Sequence, residues 1–265
     1  MRQFAYERAA DAASAIASAT DGDGDVRYLG GGTNLVDLMK LGVETPERLV
    51  DVSQLPHAEI EDLPGGGLRI GAAVRNSDLA AHAAVRERFP LLAASLLSGA
   101  SGQLRNVATT GGNLLQRTRC SYFQDVSKPC NKRRPGSGCP AREGEHRNLA
   151  ILGYSEACVA THPSDMAVAL AALDAVVHVR GAASGRALAV TDLHRLPGEA
   201  PERDTTLDPG DLIVAIELPP AAPPAQRYRK VRERASFSFA VVSVAVAVEV
   251  SEGVTADIKT IVTPE

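Results

Sequence analysis

The sequence predicts a mixed fold of helices and strands, and three observations support this prediction. Segments with strand and helix patterns alternate through the first third of the chain. The region after residue 210 is rich in Val and Ile, which favour strands. The 265 residues are 45% hydrophobic and 23% charged, as in ordinary globular proteins, so wholesale disorder is excluded and one or two domains are expected.

Local patterns predict the elements of the first third in order. An alanine-rich stretch without Gly or Pro indicates a helix at residues 8–17. Leu35, Leu38 and Met39 have the spacing of one helix face. The other elements expected here are strands at 26–29, 48–52 and 68–74, a helix at 78–88 with Ser77 as its N-cap, and a buried helix at 91–97.

The second half of the chain is expected to contain a helix, a hairpin and a strand-rich end. A serine N-cap and an apolar run predict the helix at 164–173, and residues 175–180 and 187–190 flank a glycine-containing turn as a hairpin. The proline- and acid-rich stretch 197–209 is typical of a linker, so we expect a first domain at 1–200 and a second at 210–265. Strands are expected in the second domain at 211–218, 226–232, 237–250 and 254–262.

Charge and hydropathy argue against two classes of protein. The net charge of −4 does not suit a nucleic-acid-binding surface. The longest apolar stretch, at 240–248, is far shorter than the ~20 residues that a membrane-spanning helix needs. The first eight residues lack the apolar segment of a secretory signal, so a cytoplasmic location is expected, with export alongside a partner protein as the alternative.

The first chemical signal is the glycine turn at residues 30–34, which stands between a predicted strand and a predicted helix. In this arrangement glycines allow backbone N–H groups to approach a phosphate closely. A Rossmann dinucleotide site is one interpretation, because Asp51 lies about 20 residues further on, where a ribose-binding acid would fall. Leu35 stands where that motif needs its third glycine, which argues against it. A turn without a ligand remains the other alternative.

A second turn, at residues 98–113, is dense in small and hydrogen-bonding residues. Thr109, Thr110 and Asn113 offer side-chain donors, and Gly111 and Gly112 free the backbone. Two anion-binding turns suit a ligand with a pyrophosphate, such as FAD, better than a mononucleotide. The alternative is a tight loop that satisfies its own backbone through Thr and Asn.

The four cysteines, Cys120, Cys130, Cys139 and Cys158, are the second signal because they fall within 39 residues. Their spacing, C-x9-C-x8-C-x18-C, contains neither the close pairs of structural zinc sites nor the common ferredoxin runs. Residues 117–147 hold eight Lys or Arg against three Asp or Glu, and such a charge would offset a negative iron–sulfur centre. Zinc, disulfides and plain buried thiols remain open on spacing alone.

The two turns resemble the FAD-binding motifs of the xanthine oxidase family, in particular the medium, flavin-carrying subunit of bacterial molybdenum hydroxylases. The segments that carry the resemblance are YLGGGTNLVDLMK at 28–40, QLRNVATTGGN at 103–113, HPSDMA at 162–167 and YRKVR at 228–232. The resemblance implies an α+β fold, with a two-subdomain FAD-binding domain of the PCMH type followed by a small α+β C-terminal domain. That second domain continues further in the family, so here it is expected to be abbreviated or truncated.

The resemblance also implies the cofactor-binding residues. Those expected to hold the FAD phosphates and ribityl chain are Arg27, Tyr28, Leu29, Gly30, Gly31, Gly32, Thr33, Asn34, Leu35, Thr109, Thr110, Gly111, Gly112 and Asn113. Those expected to line the flavin are Asp165, Leu207 and Lys230. The sequences around the cysteines resemble the members that carry a 4Fe–4S insert, as in aldehyde oxidoreductase. All four cysteines are then cluster ligands, in an insert at about 116–160 near the FAD.

The function that the resemblance implies is electron transfer in a heterotrimeric molybdenum hydroxylase, in particular an aldehyde oxidoreductase that converts aldehydes to carboxylic acids. The expected partners are a large molybdopterin-binding subunit and a small subunit with 2Fe–2S clusters. Electrons would pass from the molybdenum centre through those clusters to FAD and an external acceptor. No side chain of this chain is expected to be catalytic. The alternatives are a self-contained flavoenzyme and a nucleotide-binding module stapled by zinc.

Overall fold

The computed structural model describes residues 1–22, 24–220, 223–251 and 254–264. Its helices are α1 (Ala12–Thr20), α2 (Leu35–Leu41), α3 (Asn76–Ala81), α4 (Ala83–Arg88), α5 (Pro90–Ser98), α6 (Gly102–Arg105), α7 (Thr110–Leu114), α8 (Ser121–Gln124) and α9 (Asp165–Ala172). Its strands are β1 (Ala5–Arg8), β2 (Val26–Leu29), β3 (Arg48–Asp51), β4 (Ile60–Asp62), β5 (Leu68–Gly71), β6 (Val176–Arg180), β7 (Gly185–Ala189), β8 (Leu212–Leu218), β9 (Ala225–Val231), β10 (Val242–Ser251) and β11 (Val254–Pro264). In the described part of the chain, none of the helices has the length and hydropathy to cross a membrane.

The N-terminal sheet is parallel, in the order β1–β3–β2, and α1 packs against it. This helix begins after Asp11, whose carboxylate accepts a hydrogen bond from the Ser14 N–H at 2.7 Å while Ser14 Oγ accepts one from the Asp11 N–H. Such a capping box fixes the start of a helix. The predicted helix at 8–17 is therefore wrong at both ends, because Ala5–Arg8 pairs with β3 and the helix continues to Thr20.

The central sheet is antiparallel, in the order β4–β5–β8–β6–β7. The predicted hairpin of 175–180 with 187–190 is confirmed by the pairing of β6 with β7, and β4 pairs with β5 in the same way. β8 lies in the middle of this sheet, with Ile216 and Leu218 fully buried. Because β8 follows the stretch 197–209 where a domain boundary was expected, we propose that the first domain extends through β8 and that the second begins at β9.

The third sheet is antiparallel, in the order β11–β10–β9, and it packs on α5 and α9. Tyr228 of β9 and Ala245 and Ala247 of β10 join the main hydrophobic core, which these two helices share with the central sheet. The strand predicted to begin at 237 begins at Val242, because the preceding residues form a loop over the cleft described below. The third sheet therefore closes one side of the molecule against α5 and α9.

The helix predicted at 78–88 is two helices. α3 begins at Asn76, with Arg75 in the cap position, and the chain becomes extended at His82 before α4. The backbone N–H of Asn76 donates to the carbonyl of Ala108 at 2.9 Å, and this side chain is buried. Ser77 is therefore not the N-cap, because a tertiary contact sets the helix start two residues earlier than the local pattern does.

Candidate functional site: a glycine-lined cleft and a cysteine pocket

Both glycine turns face one large cleft, which holds about 4710 Å³ of space free of atoms, part of it continuous with solvent. Most of the residues predicted to bind FAD line it. They are Arg27, Tyr28, Gly30, Gly31, Gly32, Thr33, Asn34, Leu35, Thr109, Gly111, Gly112, Asn113, Asp165, Leu207 and Lys230. Leu29 and Thr110 are not among the lining residues. The fold thus brings two turns that are about 80 residues apart in sequence to the same surface.

The two turns touch each other through glycines. A Cβ added to Gly31 would lie 2.1 Å from the carbonyl oxygen of Val107, and one added to Gly30 would lie 2.8 Å from Thr109 Oγ1. Gly32 has a φ of +70°, in the left-handed region that side chains rarely adopt. Glycine is therefore needed here for close approach of backbone to backbone and for the turn that leads into α2.

The second turn is fixed by hydrogen bonds to the segment that directly follows β5. Both the N–H and the hydroxyl of Thr110 donate to the carbonyl of Val74, at 2.9 and 2.8 Å. The N–H of Gly111 donates to the carbonyl of Ala72 at 2.8 Å. These contacts explain why Thr110 is buried rather than part of the cleft surface. A role for Thr110 in supporting the turn follows from this position.

Asn34, at the end of the first turn, has one satisfied and one unsatisfied polar atom. Its Oδ1 accepts a hydrogen bond from the backbone N–H of Arg117 at 2.8 Å. Its Nδ2 is buried and has no hydrogen-bond partner among the described residues. A buried donor without a partner lowers the stability of the folded state by about 1–3 kcal/mol. Because Asn34 lines the cleft, an oxygen atom of a bound ligand could accept this hydrogen bond. The cleft therefore fits an oxygen-rich ligand such as FAD.

A buried ion pair lies on another side of the cleft. Asp165, the first residue of α9, accepts hydrogen bonds from Lys230 Nζ at 2.8 Å and from the Tyr228 hydroxyl at 2.5 Å. The side chain of Lys230 is only 4% exposed. Tyr228 and Lys230 reach the same carboxylate because alternate residues of a strand share a face. That periodicity could have added Tyr228 to the predicted site, which contained only Asp165 and Lys230.

Tyr28 lines the cleft and contacts the segment that follows Leu207. Its hydroxyl donates to the carbonyl of Gly210 at 2.7 Å. Burial, with a further contribution from the nearby Asp211 carboxylate, raises the pKa of Tyr28 to about 12. Tyr28 is therefore a neutral donor at physiological pH, and it fixes the Gly210 segment beside the glycine turn.

The four cysteines line a second, smaller pocket of about 290 Å³ of atom-free space. All four are free thiols; Cys120 and Cys158 are buried, and Cys130 and Cys139 are half-buried. The loop that carries them is ordered by its own hydrogen bonds, because Asn131 and Gly138 exchange two, at 2.9 and 2.7 Å. The disulfide alternative is therefore not realised in this structure.

Backbone N–H groups point at the sulfur atoms of this cysteine pocket. The Ala160 N–H donates to Cys158 Sγ at 3.4 Å. Burial raises the pKa of the Cys158 thiol, while this bond and the nearby Lys132 ammonium act in the opposite direction. Burial also raises the pKa of Cys120, against N–H donors at Phe123 and Tyr122. N–H donors to sulfur are a characteristic of iron–sulfur sites, where they tune the potential.

The cysteine pocket does not have the geometry of a single-ion site. Among the described residues, no three His, Cys, Asp or Glu side chains converge so that they could hold one metal ion. A zinc ion needs its sulfur ligands about 2.3 Å from one point, whereas a cubane cluster is several atoms wide and takes ligands that stand further apart. The pocket thus lacks the geometry of a zinc site, and its four thiols match the number of ligands that a 4Fe–4S cluster takes.

The cysteine pocket and the cleft share a wall. Cys120 lines both, whereas the other three cysteines line the pocket alone. Cys120 directly precedes α8, and it packs with Leu38 of α2, the helix that follows the first glycine turn. The cysteine insert therefore lies next to the cleft that the two glycine turns line.

A family model described as the FAD binding domain in molybdopterin dehydrogenase matches residues 2–221. The chain belongs to this family. It is 55% identical to the aldehyde oxidoreductase FAD-binding subunit PaoB of Escherichia coli (strain K12). The match extends over 250 residues, which are 94% of this chain and 78% of PaoB. This chain is therefore the FAD-binding subunit of a molybdenum-dependent oxidoreductase.

Two further comparisons agree with this family assignment. The chain is 26% identical over 257 residues to the glyceraldehyde dehydrogenase medium chain of Sulfolobus acidocaldarius, across 97% of this chain and 74% of that protein. The structure of reconstituted CO dehydrogenase from Oligotropha carboxidovorans superposes with a TM-score of 0.74 at 23% identity, across 99% of this chain and 75% of that one. The latter shows the fold alone, and it confirms the predicted α+β architecture.

Proposed function

We propose that this chain is the FAD- and 4Fe–4S-containing electron-transfer subunit of a heterotrimeric aldehyde oxidoreductase. The observation that supports this proposal most strongly is the shared wall at Cys120. On one side lies a cleft lined by the two glycine turns, and on the other lies a pocket lined by four free thiols. A chain that binds FAD alone would not need the second pocket.

FAD would be held by the residues that face the cleft. Gly31 and Gly32 let the backbone of the first turn approach the pyrophosphate, and Asn34 offers its free Nδ2. Thr109 and Asn113 of the second turn line the cleft beside the first turn, and Asp165 with Lys230 fixes the edge where we place the flavin ring. These side chains bind and orient, and none of them needs to exchange a proton with a substrate.

The cysteine pocket would hold the cluster through Cys120, Cys130, Cys139 and Cys158. When bound, FAD and the cluster supply electron transfer between the subunit that oxidises the aldehyde and an external acceptor. The protein's contribution is to bury the thiols of Cys120 and Cys158, to point N–H groups at these two and to keep the pocket next to the cleft. The basic surroundings of the insert offset the negative charge of such a group.

The proposed partners are a large molybdopterin-binding subunit and a small 2Fe–2S subunit. Support comes from the family, whose members are domains of molybdopterin dehydrogenases, and from relatives named as FAD-binding subunits or medium chains. Aldehydes are proposed as substrates because the relative with 55% identity is named an aldehyde oxidoreductase. The substrate would be oxidised in the large subunit, away from this chain.

An anaerobic reduction experiment tests this proposal. An aromatic or aliphatic aldehyde should bleach the flavin absorbance of the co-purified complex, and it should leave the isolated chain oxidised. Cys139→Ser should remove iron from this chain while FAD is retained, and Ser127→Ala, a change in an exposed part of the same insert, should leave both unchanged. Bleaching of the isolated chain by aldehyde would instead support a self-contained flavoenzyme.

A further inference from the structure

A chain of alternating charges connects the cleft to the cysteine pocket. Arg117 donates to the Glu44 carboxylate with one arm of its guanidinium, and its Nε donates to Asp204 Oδ2 at 2.6 Å. The other oxygen of Asp204 accepts from Lys132 Nζ at 2.5 Å. Glu44, Arg117 and Asp204 line the cleft, and Lys132 lines the pocket.

The same four side chains connect segments that are far apart in sequence. Glu44 follows α2 and the first glycine turn, Arg117 and Lys132 belong to the cysteine insert, and Asp204 comes from the stretch before β8. The backbone N–H of Arg117 is held by Asn34 Oδ1, so the ion-pair chain and the glycine turn meet at one residue. The guanidinium of Arg117 also lies 4.7 Å above the ring of Phe123, which lines the cysteine pocket.

The ammonium of Lys132 is a buried positive charge beside the thiols. Its side chain is only 10% exposed, and besides Asp204 it donates to the carbonyl of Pro201 at 2.7 Å. A charge that is shielded from water acts on its neighbours much more strongly than an exposed one. Lys128 stands the same two residues from Cys130 on the other side, but it is exposed.

We infer that Lys132 and Asp204 are positioning residues that set the reduction potential of the cluster in the cysteine pocket, while Arg117 and Glu44 anchor them to the first glycine turn. This inference rests on the proposed function, because it needs the four thiols to hold a redox group. Reduction adds negative charge to such a group, so the Lys132 ammonium favours the reduced form and the Asp204 carboxylate favours the oxidised form.

The two charges therefore predict shifts of opposite sign. Lys132→Met should lower the midpoint potential of the cluster, because the positive charge is lost. Asp204→Asn should raise it, because Lys132 and Arg117 lose a common counter-charge. Lys132→Met should move the cluster potential more than the flavin potential, since Lys132 lines the pocket and does not line the cleft. If Lys132 and Asp204 only supported the fold, the two substitutions would not be expected to shift the cluster potential in opposite directions.

Redox titrations of the purified complex, followed by electron paramagnetic resonance for the cluster and by absorbance for the flavin, measure both potentials. Lys128→Met is the matched control for Lys132, and Glu156→Gln is the control for Asp204. Glu156 lies two residues from Cys158 and pairs with Arg142, but its side chain is 84% exposed. Both controls should shift the potential clearly less than the buried variants do.

Shifts of the same sign in the two buried variants, or equal shifts in Lys132→Met and Lys128→Met, would overturn the inference. If Asp204→Asn loses iron, the comparison of Lys132→Arg with Lys132→Met replaces it. Lys132→Arg keeps the charge, so its cluster potential should stay close to that of the unchanged protein. A Lys132→Met potential equal to that of the unchanged protein would contradict the inference. Iron-free protein without any substitution contradicts the proposed function and this inference together. Protein that contains iron, but whose cluster potential is unchanged by Lys132→Met and Asp204→Asn, contradicts this inference alone.

Discussion

At the scale of single residues, the glycines of the first turn decide how closely the two turns can meet. Gly31 stands against the Val107 carbonyl, and no larger residue fits there without moving one of the two backbones. The sequence pattern of strand, glycines and helix was enough to predict an anion-binding turn. It could not predict the partner of Gly31, because Val107 is 76 positions further along the chain.

Gly31→Ala should weaken FAD binding by at least about tenfold, equivalent to about 1.4 kcal/mol. The added Cβ would start 2.1 Å from the Val107 carbonyl oxygen, so the turns must separate and the cleft surface must change. Flavin fluorescence during dialysis or dilution measures the loss. Gly102→Ala is the control, because a Cβ there meets nothing within 4 Å and the position begins α6, where alanine is favourable.

Equal FAD retention in Gly31→Ala and Gly102→Ala would show that contact between the turns is not what shapes the site.

At the scale of elements, the cysteine insert could be predicted from the sequence only in part. Its lack of periodicity and its clustered cysteines indicated an irregular segment with a special role. Spacing alone could not show that the four thiols line one pocket, because this depends on turns held by side chains, such as the bond from the Cys130 N–H to Ser137 Oγ at 3.0 Å. The choice of a 4Fe–4S cluster came from the resemblance and stays a proposal, for which the four thiols around one pocket are the structural argument.

Two histidines outside the insert, His162 and His194, contact the last residue of α7. The rings of His162 and His194 are tilted by 39° with centroids 4.0 Å apart, and Nε2 of each lies within 3.2 Å of the Leu114 carbonyl oxygen. Burial, with a contribution from His194, lowers the pKa of His162 to about 3. Burial likewise lowers the pKa of His194. The sequence did not predict this contact between the two rings, because both histidines lie in loops that only the fold brings together.

The chain should lose stability on acidification because of this pair. The unfolded state takes up a proton on His162 near pH 6.5, whereas the folded state resists protonation down to about pH 3. His162 therefore contributes a loss of about 1.4 kcal/mol for each pH unit as the pH falls between these values. His162→Gln keeps an N–H donor for Leu114 and should remove this part of the slope, as measured by urea unfolding at several pH values.

His146→Gln, a change at an exposed histidine of the cysteine insert, is the matched control for that series. A slope that is the same in both variants would contradict the assignment to His162.

At the scale of the whole molecule, the Asp165 cluster joins the first domain to the third sheet. Asp165 begins α9, while Tyr228 and Lys230 belong to β9. The N-cap serine and apolar run predicted α9 correctly, and the resemblance named Asp165 and Lys230. What the sequence did not predict is the place of β8, because a proline-rich stretch is also compatible with a loop that returns the chain to the middle of the same sheet.

Asp165→Asn should destabilise the chain by about 3–5 kcal/mol, because it leaves the Lys230 ammonium buried without its counter-charge. Urea unfolding of the full chain measures the change. Asp62→Asn, which removes a carboxylate paired with Arg88 at the surface, should cost less than about 1 kcal/mol. Equal effects of the two substitutions would contradict a structural role for the buried pair.

The most direct test of the whole account is the cofactor content of the anaerobically purified chain. We expect about one FAD and about four iron atoms per chain, with a visible spectrum that shows both flavin and iron–sulfur absorbance. A preparation with one zinc ion and no flavin, or one that retains FAD but contains no iron after anaerobic purification, would contradict it.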